Sequence, residues 1–238
     1  MALAEHEKEE LAVGLFDTGL LQFQYHGWTL SSGRQTSIDY RQPPLASFRR
    51  GLEVAGRPVS IAQQRRVREL AIQAYASAID ELPDDHDHLY GLPQAGIAFG
   101  AMVALRRGDS YLWGRDGQYS DDRLLSKKRV EGKFGPYDTA KVIDDVLTTA
   151  GPKILESDRV ETDELLTAGF VVMLDYQEGG IEAMRGAGHN IEVILGLSEA
   201  TRALLAAKRI GNAELDWIQE YHQDVAARPG GISTFSLE

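Results

Sequence analysis

Hydrophobic residues recur with two different periods along this chain. Helical spacing marks residues 5–16 and the segment after Ser60, where Gln63 three residues later predicts a capping box. Short apolar runs typical of buried strands lie between the helical segments, at residues 88–91, 111–113, 141–143, 170–174 and 191–195. Strands that alternate with helices predict an α/β protein with a mostly parallel sheet.

The two ends of the chain depart from this alternation. Residues 20–38 predict a short hairpin that turns at Gly33, and residues 42–59 hold three of the eight prolines, which favours irregular backbone. Near the other end, a helix is predicted at 214–225, and His222 is interpreted there as a surface residue. The last stretch, 228–238, is rich in glycine and serine and is expected to be a flexible tail.

Composition excludes several classes of protein. Hydrophobic residues make up 43% of the 238 residues and charged residues 26%, as in ordinary globular proteins. No stretch approaches the ~18 consecutive apolar residues of a membrane span, and the first ten residues lack the apolar region of a secretory signal. The absence of cysteine excludes disulfide scaffolds, thiol catalysis and cysteine-ligated metals. The cytoplasm is therefore the expected compartment.

The charge balance is acidic, with one locally basic segment. The net charge of −11 comes from 25 basic and 36 acidic residues, and it argues against nonspecific binding of nucleic acid. Between Arg115 and Lys133, however, six basic residues face only four acidic ones. Such a segment can be a plain solvated loop or a lid over phosphate groups.

Residues 140–152 form the pattern with the clearest chemistry. An apolar strand leads to Asp144 and Asp145, a loop of small residues follows from Thr148 to Gly151, and Pro152 suits the first turn of a helix. Ligands bind at the carboxyl ends of strands in open α/β sheets, and a helix N-terminus favours phosphate. Paired carboxylates suit sugar hydroxyls or a hydrated magnesium ion. A phosphorylated ribose fits all of these features, and the alternative is a strand followed by a polar turn.

The pattern resembles the phosphoribosyl-pyrophosphate (PRPP) motif of the type I phosphoribosyltransferases. Weaker matches resemble the orotate phosphoribosyltransferases within that group, and they run in order across residues 11–225, at 15–23, 28–34, 91–98, 130–132, 174–179 and 191–208. This resemblance implies a parallel sheet flanked by helices, with a small N-terminal hood. A single domain would then span 1–230, with helix, hairpin and hood in 1–59 and the core in 60–225.

The resemblance also implies a reaction, in which orotate displaces pyrophosphate from PRPP and orotidine 5′-phosphate is formed. It assigns PRPP binding to the eight residues of the motif, Asp144, Asp145, Val146, Leu147, Thr148, Thr149, Ala150 and Gly151. It assigns base binding to Asp39, Tyr40, Thr148 and Tyr176. Magnesium would arrive with PRPP, near Asp144 and Asp145, and no resident metal is expected.

The catalytic residues implied by the resemblance are Arg115, Lys127 and Lys128. In the family, this loop clamps the pyrophosphate in the neighbouring subunit's site, so a homodimer is expected. The family pattern R-K-x-x-K-x-H is altered here, because Arg115 is followed by Asp-Gly-Gln-Tyr-Ser and the lysines come later.

A second departure lies in the residues expected to contact the base. Tyr176 stands where the family motif V-D-R-Q-E has the arginine that pairs with the orotate carboxylate. A phenol does not replace a bidentate arginine–carboxylate contact. Two alternatives therefore remain open: transfer to a different base, and a regulatory protein that binds a phosphoribosyl ligand without turnover.

Overall fold

The computed structural model describes residues 3–29, 35–40, 53–54, 57–93, 95–115 and 130–237. The helices within these ranges are α1 (Glu5–Asp17), α2 (Ile61–Glu81), α3 (Ala95–Arg107), α4 (Gly151–Glu161), α5 (Gly180–Gly186), α6 (Leu197–Ala206) and α7 (Asn212–Ala227). The strands are β1 (Leu21–Thr29), β2 (Gln35–Tyr40), β3 (Glu53–Val54), β4 (Arg57–Pro58), β5 (His88–Gly91), β6 (Ser110–Gly114), β7 (Val130–Glu131), β8 (Thr139–Leu147), β9 (Leu166–Asp175) and β10 (Ile191–Gly196).

A six-stranded sheet in the order β10-β9-β8-β5-β6-β7 forms the centre of the molecule. The first five strands of that order run parallel, and β7 pairs antiparallel with β6 at the edge. Helices cover both faces, so successive residues of a strand are buried on opposite sides. In β9, for example, Val171 packs in the cluster with α2 and α3, and Val172 packs in the cluster with α4. The predicted α/β fold with a mostly parallel sheet is confirmed.

The N-terminal hairpin lies outside this sheet. Strands β1 and β2 pair antiparallel from Leu21 opposite Tyr40 to Thr29 opposite Gln35, with an irregular register between Phe23 and Trp28. Helix α7 packs against both strands. The short strands β3 and β4 form a separate two-stranded pair in the proline-containing region. The predicted hairpin is therefore present, and its turn at Gly33 lies outside the described residues.

Helix α2 is fixed to the sheet through polar contacts with β8. Its N-terminus has the expected capping box, in which Ser60 Oγ accepts from the amide of Gln63 at 3.1 Å. At its C-terminus, the buried ammonium of Lys141 donates to the carbonyls of Ile79 and Leu82 at 2.9 and 3.2 Å. These bonds satisfy carbonyls that a helix end leaves without intrahelical partners. In the same strand, the carbonyl of Asp144 accepts from the hydroxyl of Tyr75 at 2.7 Å.

Two details of the backbone differ from expectation. The predicted strand at 141–143 does not end before the acid pair, because β8 continues to pair with β9 through Leu147 and Asp175. Residues 228–237, expected to be a tail, run back along the body, where Phe235 stacks on His222 with ring centroids 4.6 Å apart. The interpretation of His222 as a surface residue is wrong, because the side chain is 5% exposed beneath this segment. Apolar side chains within a glycine- and serine-rich stretch explain the difference.

Candidate functional site

The motif residues lie at the carboxyl edge of the parallel sheet. The acid pair lies near the end of β8, and the central position of β8 puts it between the ends of β5 and β9. The turn after β5 contacts the motif through the amide of Leu92, which donates to the carbonyl of Ile143 at 3.0 Å. On the other side, the amide of Tyr176 donates to the carbonyl of Leu147 at 2.9 Å. Three consecutive strand ends thus surround one site.

Two glycines allow this close packing. A Cβ on Gly96 of α3 would collide with the carbonyl oxygen of Ile143, and a Cβ on Gly180 of α5 would collide with that of Thr148. Both obstacles are backbone atoms of the motif, so they cannot turn away as a flexible side chain could. Glycine at these two positions is therefore a requirement of the site's geometry.

The acid pair has a cationic partner that the sequence analysis did not identify. Lys153, at the third position of α4, places its Nζ 2.5 Å from Oδ2 of Asp144. Both side chains are largely withdrawn from solvent, with 9% of the lysine and 14% of the aspartate side chain exposed. A lysine nine residues after the acid would have indicated this contact only once the strand–loop–helix reversal was known.

Asp145 has a different environment from its neighbour. Burial, reinforced by the negative charge of Asp144, raises the pKa of the Asp145 carboxyl well above its usual range. One of its oxygens accepts from the amide of Val146 at 2.8 Å. The two acids are therefore unequal: Asp144 is held by an ammonium group, and Asp145 is the one whose charge is disfavoured.

The loop from Thr148 to Gly151 leads directly into the N-terminus of α4. Ala150 adopts a left-handed conformation with φ of +64° at the N-cap of α4, and Pro152 lies in the helix's first turn. The carbonyl of Ala150 accepts from the amides of Lys153 and Ile154 at 2.9 and 3.1 Å. Among the described residues, no acceptor takes a backbone hydrogen bond from the four amides of Thr148 to Gly151. Such amides at a helix N-terminus bind phosphate.

The residues expected to contact the base are only partly brought to this edge. Asp39 and Tyr40 end β2, and their side chains lie outside the described part of the structure. Tyr176 directly follows β9, but its ring is 1% exposed and belongs to the same apolar cluster as Val171, which also includes residues of α6 and α7. Its backbone is therefore at the site's edge, whereas its phenol is part of the core.

Carboxyl groups beside Tyr176 are also buried. The carboxylate of Asp175 accepts from the amide of Gln177 at 2.9 Å, and burial raises the pKa of Asp175 to about 6. Glu178 is 4% exposed and accepts a hydrogen bond from the hydroxyl of Tyr221 in α7. Two buried acidic side chains thus anchor the loop after β9, because they accept hydrogen bonds from the amide of Gln177 and the hydroxyl of Tyr221.

The expected catalytic segment is described only at its two ends. Arg115 follows β6 as an exposed residue, and its guanidinium forms an ion pair with Glu131 of β7. Lys127 and Lys128 lie outside the described residues, so their roles remain predictions.

The donor set at the acid pair fits a magnesium ion that a substrate brings with it. In the described part of the chain, no three His, Cys, Asp or Glu side chains are grouped as a metal cage would require. Asp144 and Asp145 offer the oxygen ligands that hydrated magnesium accepts, and one of them already pairs with Lys153.

Comparison with known proteins agrees with this geometry. No family model matches the chain. The UMP synthase of Leishmania donovani superposes over 91% of this chain and 42% of its own, with a TM-score of 0.71 and 19% identity. The orotate phosphoribosyltransferase of Aeropyrum pernix superposes over 84% of this chain and 99% of its own, with a TM-score of 0.62 and 20% identity. The chain has the type I phosphoribosyltransferase fold.

The chain is also similar in sequence to orotate phosphoribosyltransferases. An orotate phosphoribosyltransferase of Chlamydia caviae is 29% identical over 127 residues. The match covers 53% of this chain and 61% of the Chlamydia protein's length. The resemblance to orotate phosphoribosyltransferases that the motifs indicated is thus confirmed.

Within the described ranges, none of the helices has the length and apolar character needed to cross a bilayer.

Proposed function

We propose that the protein transfers the phosphoribosyl group of PRPP to orotate, with release of pyrophosphate, as a step of pyrimidine synthesis in the cytoplasm. The observation that supports this most is the arrangement at the end of β8. Two adjacent carboxylates, a loop of amides without described partners and a helix N-terminus follow one another at the carboxyl edge of the sheet. Each matches one part of a phosphorylated ribose.

The residues of the motif would divide the work of binding PRPP. The amides from Thr148 to Gly151 would hold the 5′-phosphate, and the carboxylates of Asp144 and Asp145 would accept hydrogen bonds from the ribose hydroxyls. Transfer through an oxocarbenium-like state needs positioning, charge stabilisation and exclusion of water. Magnesium bound to PRPP would neutralise part of the pyrophosphate charge beside the acid pair.

Arg115 and the basic segment after it would clamp the pyrophosphate. Arg115 lies at the end of β6, on the same edge of the sheet as the acid pair, and its side chain is 47% exposed. An exposed cation at this position can contact a substrate in its own site or in that of a second subunit. We include a homodimer in the proposal, and sedimentation velocity of the full chain tests it.

A different base is the second candidate, and the position of Tyr176 favours it. A carboxylate buried without a cation costs desolvation energy, and a lost charge-assisted bond weakens binding by roughly 1.5–3 kcal/mol. Residue 176 is a tyrosine where the family motif has an arginine, and its phenol lies in the core. Among the described residues, position 176 therefore supplies no cation for the carboxylate. A base without a carboxylate would not need this arginine.

One assay separates these possibilities. Pyrophosphate release is measured with PRPP, magnesium and a panel of bases that includes orotate and uracil. Turnover with orotate supports the proposed function, and turnover with another base alone supports the second candidate. Saturable PRPP binding with no turnover on any base would reject both and favour a regulatory protein that senses the ligand.

A further inference from the structure

The C-terminal part of the chain touches both elements expected to contact the base. Helix α7 packs against β1 and β2, the hairpin whose end carries Asp39 and Tyr40. From the same helix, the hydroxyl of Tyr221 donates to Glu178 in the loop after β9. One helix therefore bridges two segments that are more than a hundred residues apart in sequence.

The segment after α7 extends this contact to Gln177. The amide of Thr234 donates to the carbonyl of Gln177 at 2.9 Å. Ser198 donates to the Gln177 carboxamide oxygen through its amide at 2.7 Å and through its hydroxyl at 2.6 Å. The same hydroxyl accepts from the amide of Ser236 at 3.1 Å. Thr234 thus holds the backbone of Gln177, and Ser236 reaches its side chain through Ser198.

Apolar contacts fix the segment at its two ends. Ile232 packs so closely on Gly179 that a Cβ there would lie 2.9 Å from the isoleucine Cβ. Phe235 stacks on the buried ring of His222, whose Nδ1 is 3.0 Å from the hydroxyl of Ser233. The segment is therefore seated on α7 and on the loop after β9 at once.

The backbone of Gln177 needs this support. Its φ is +60°, in the left-handed region that non-glycine residues rarely adopt. Such a conformation persists when surrounding contacts over-determine it. The hydrogen bonds from Thr234 and Ser198 supply such contacts, and Gln177 directly follows Tyr176.

We propose that residues 231–236, named here the C-terminal brace, position the loop 176–179 on the base side of the site. The inference rests on the proposed function, because that function makes this loop a base-contacting element. The brace touches no substrate itself. It acts through Gln177, so its loss raises KM for the base and leaves PRPP affinity unchanged.

Removal of a single N–H tests the brace. Thr234→Pro deletes the amide that binds Gln177 and also the hydroxyl, which lies 3.5 Å from the same carbonyl. Thr234→Ala is the matched control, because it loses the same hydroxyl but keeps the amide. KM for the base is measured at saturating PRPP, and PRPP affinity is measured by calorimetry without base. We expect Thr234→Pro to raise the base KM about five- to tenfold, as for one lost hydrogen bond. Thr234→Ala should behave like wild type.

A second variant approaches Gln177 from the other side. Ser198→Ala removes the hydroxyl between Ser236 and the Gln177 carboxamide and keeps the amide contact. Hydrogen exchange of the amides at 177–180 is compared in all variants, with thermal unfolding as the check on folding. We expect faster exchange there and a raised base KM in both Thr234→Pro and Ser198→Ala.

The outcomes separate the brace from the proposed function. An unchanged base KM in both variants, or a PRPP affinity that falls as much as the base affinity, would overturn the brace and leave the function standing. Wild-type protein that turns over no base would overturn the proposed function, and the inference with it.

Discussion

The two halves of the proposed site differ in how the chain builds them. The proposed ribose–phosphate half comes from consecutive residues, 144–151, at the junction of β8 and α4. The proposed base half combines the end of β2, the loop after β9, Ser198 and the segment after α7. A contiguous half has its geometry fixed by one strand ladder and one helix start, whereas the other depends on contacts between distant parts of the chain.

Because of this difference, substitutions should affect the two halves in different ways. The acid pair is held by β-ladder pairing that continues beyond it on β8, so single side-chain changes there should alter binding more than structure. The loop after β9 is held by a few side-chain hydrogen bonds and by packing of the C-terminal segment. Changes far away in sequence should therefore loosen the base half first.

The largest effect is expected from the acid pair. Asp144→Asn with Asp145→Asn should weaken PRPP binding by roughly 3–6 kcal/mol, as for two charge-assisted hydrogen bonds of about 1.5–3 kcal/mol each. Calorimetry measures this affinity, and Asp158→Asn, an exposed position on α4, is the control. Unchanged affinity in the double variant would remove the assignment of the ribose site.

The next effect tests the point where the two halves meet. Gly180→Ala places a methyl group against the carbonyl of Thr148, so both backbones must shift, at a cost of roughly 1–3 kcal/mol in the free energy of unfolding. Affinities for PRPP and for the base should fall together. Gly186→Ala in the same helix meets no atom within 4 Å and is the matched control. Equal denaturant midpoints for the two variants would contradict the close contact.

The third prediction uses pH to loosen the base half alone. Burial lowers the pKa of His222 to about 4, below its usual value of about 6.5 in the unfolded chain. Between pH 6.5 and pH 4 the unfolded chain binds a proton at His222 and the folded chain does not. The free energy of unfolding is therefore unaffected by this histidine above pH 6.5 and falls as the pH drops towards 4. His222→Phe keeps a ring against Phe235 and should abolish this loss.

The measurement for His222 is a difference between two proteins. Denaturant unfolding of wild type and His222→Phe is compared at pH 7 and pH 4. From pH 7 to pH 4, the difference in free energy of unfolding between the two proteins should change by roughly 2–3 kcal/mol in favour of the variant. If this difference in free energy stays constant with pH, the pKa of His222 is the same in the folded and the unfolded chain, and the prediction is wrong.

The smallest effect concerns strain in the ribose–phosphate half. Ala150 has a positive φ at the N-cap of α4, and Ala150→Gly should stabilise the fold by about 0.5–1 kcal/mol because glycine adopts this conformation freely. Ala187→Gly, at φ of −83° after α5, should give no gain. A loss of stability in Ala150→Gly would mean that the alanine methyl, buried in its cluster, outweighs the strain.

Sequence alone predicted the strand and the helix start that frame residues 144–151. The apolar run at 141–143, the acid pair and the small-residue loop give the strand, its carboxyl end and the helix start in one stretch. The extension of β8 through Leu147 was missed because Val146 and Leu147 gain their pairing from β9, which sequence pattern does not reveal. Lys153 was missed for the same reason, since its partner lies across a chain reversal.

The base half shows the limit of sequence reasoning. Tyr176 stands at the expected motif position, yet only the structure shows that its ring faces the core. The contacts of Thr234 and Ser236 join residues tens of positions apart through backbone amides, which every residue possesses. No residue type marks such hydrogen bonds. The indication in the sequence was the pair of apolar residues, Ile232 and Phe235, within the glycine- and serine-rich stretch.

The polar contacts between α2 and β8 have a consequence for how this region can change in length. Lys141 binds the end of the helix, and the carbonyl of Asp144 binds Tyr75. The two attachment points lie three residue steps apart along the strand, about 10 Å at ~3.3 Å per step. Inserting or deleting one residue between them would either turn the side chain of Lys141 to the opposite face of the sheet or direct the carbonyl of Asp144 towards the opposite edge of the strand. A change in the number of residues between Lys141 and Asp144 would therefore detach the acid pair from α2.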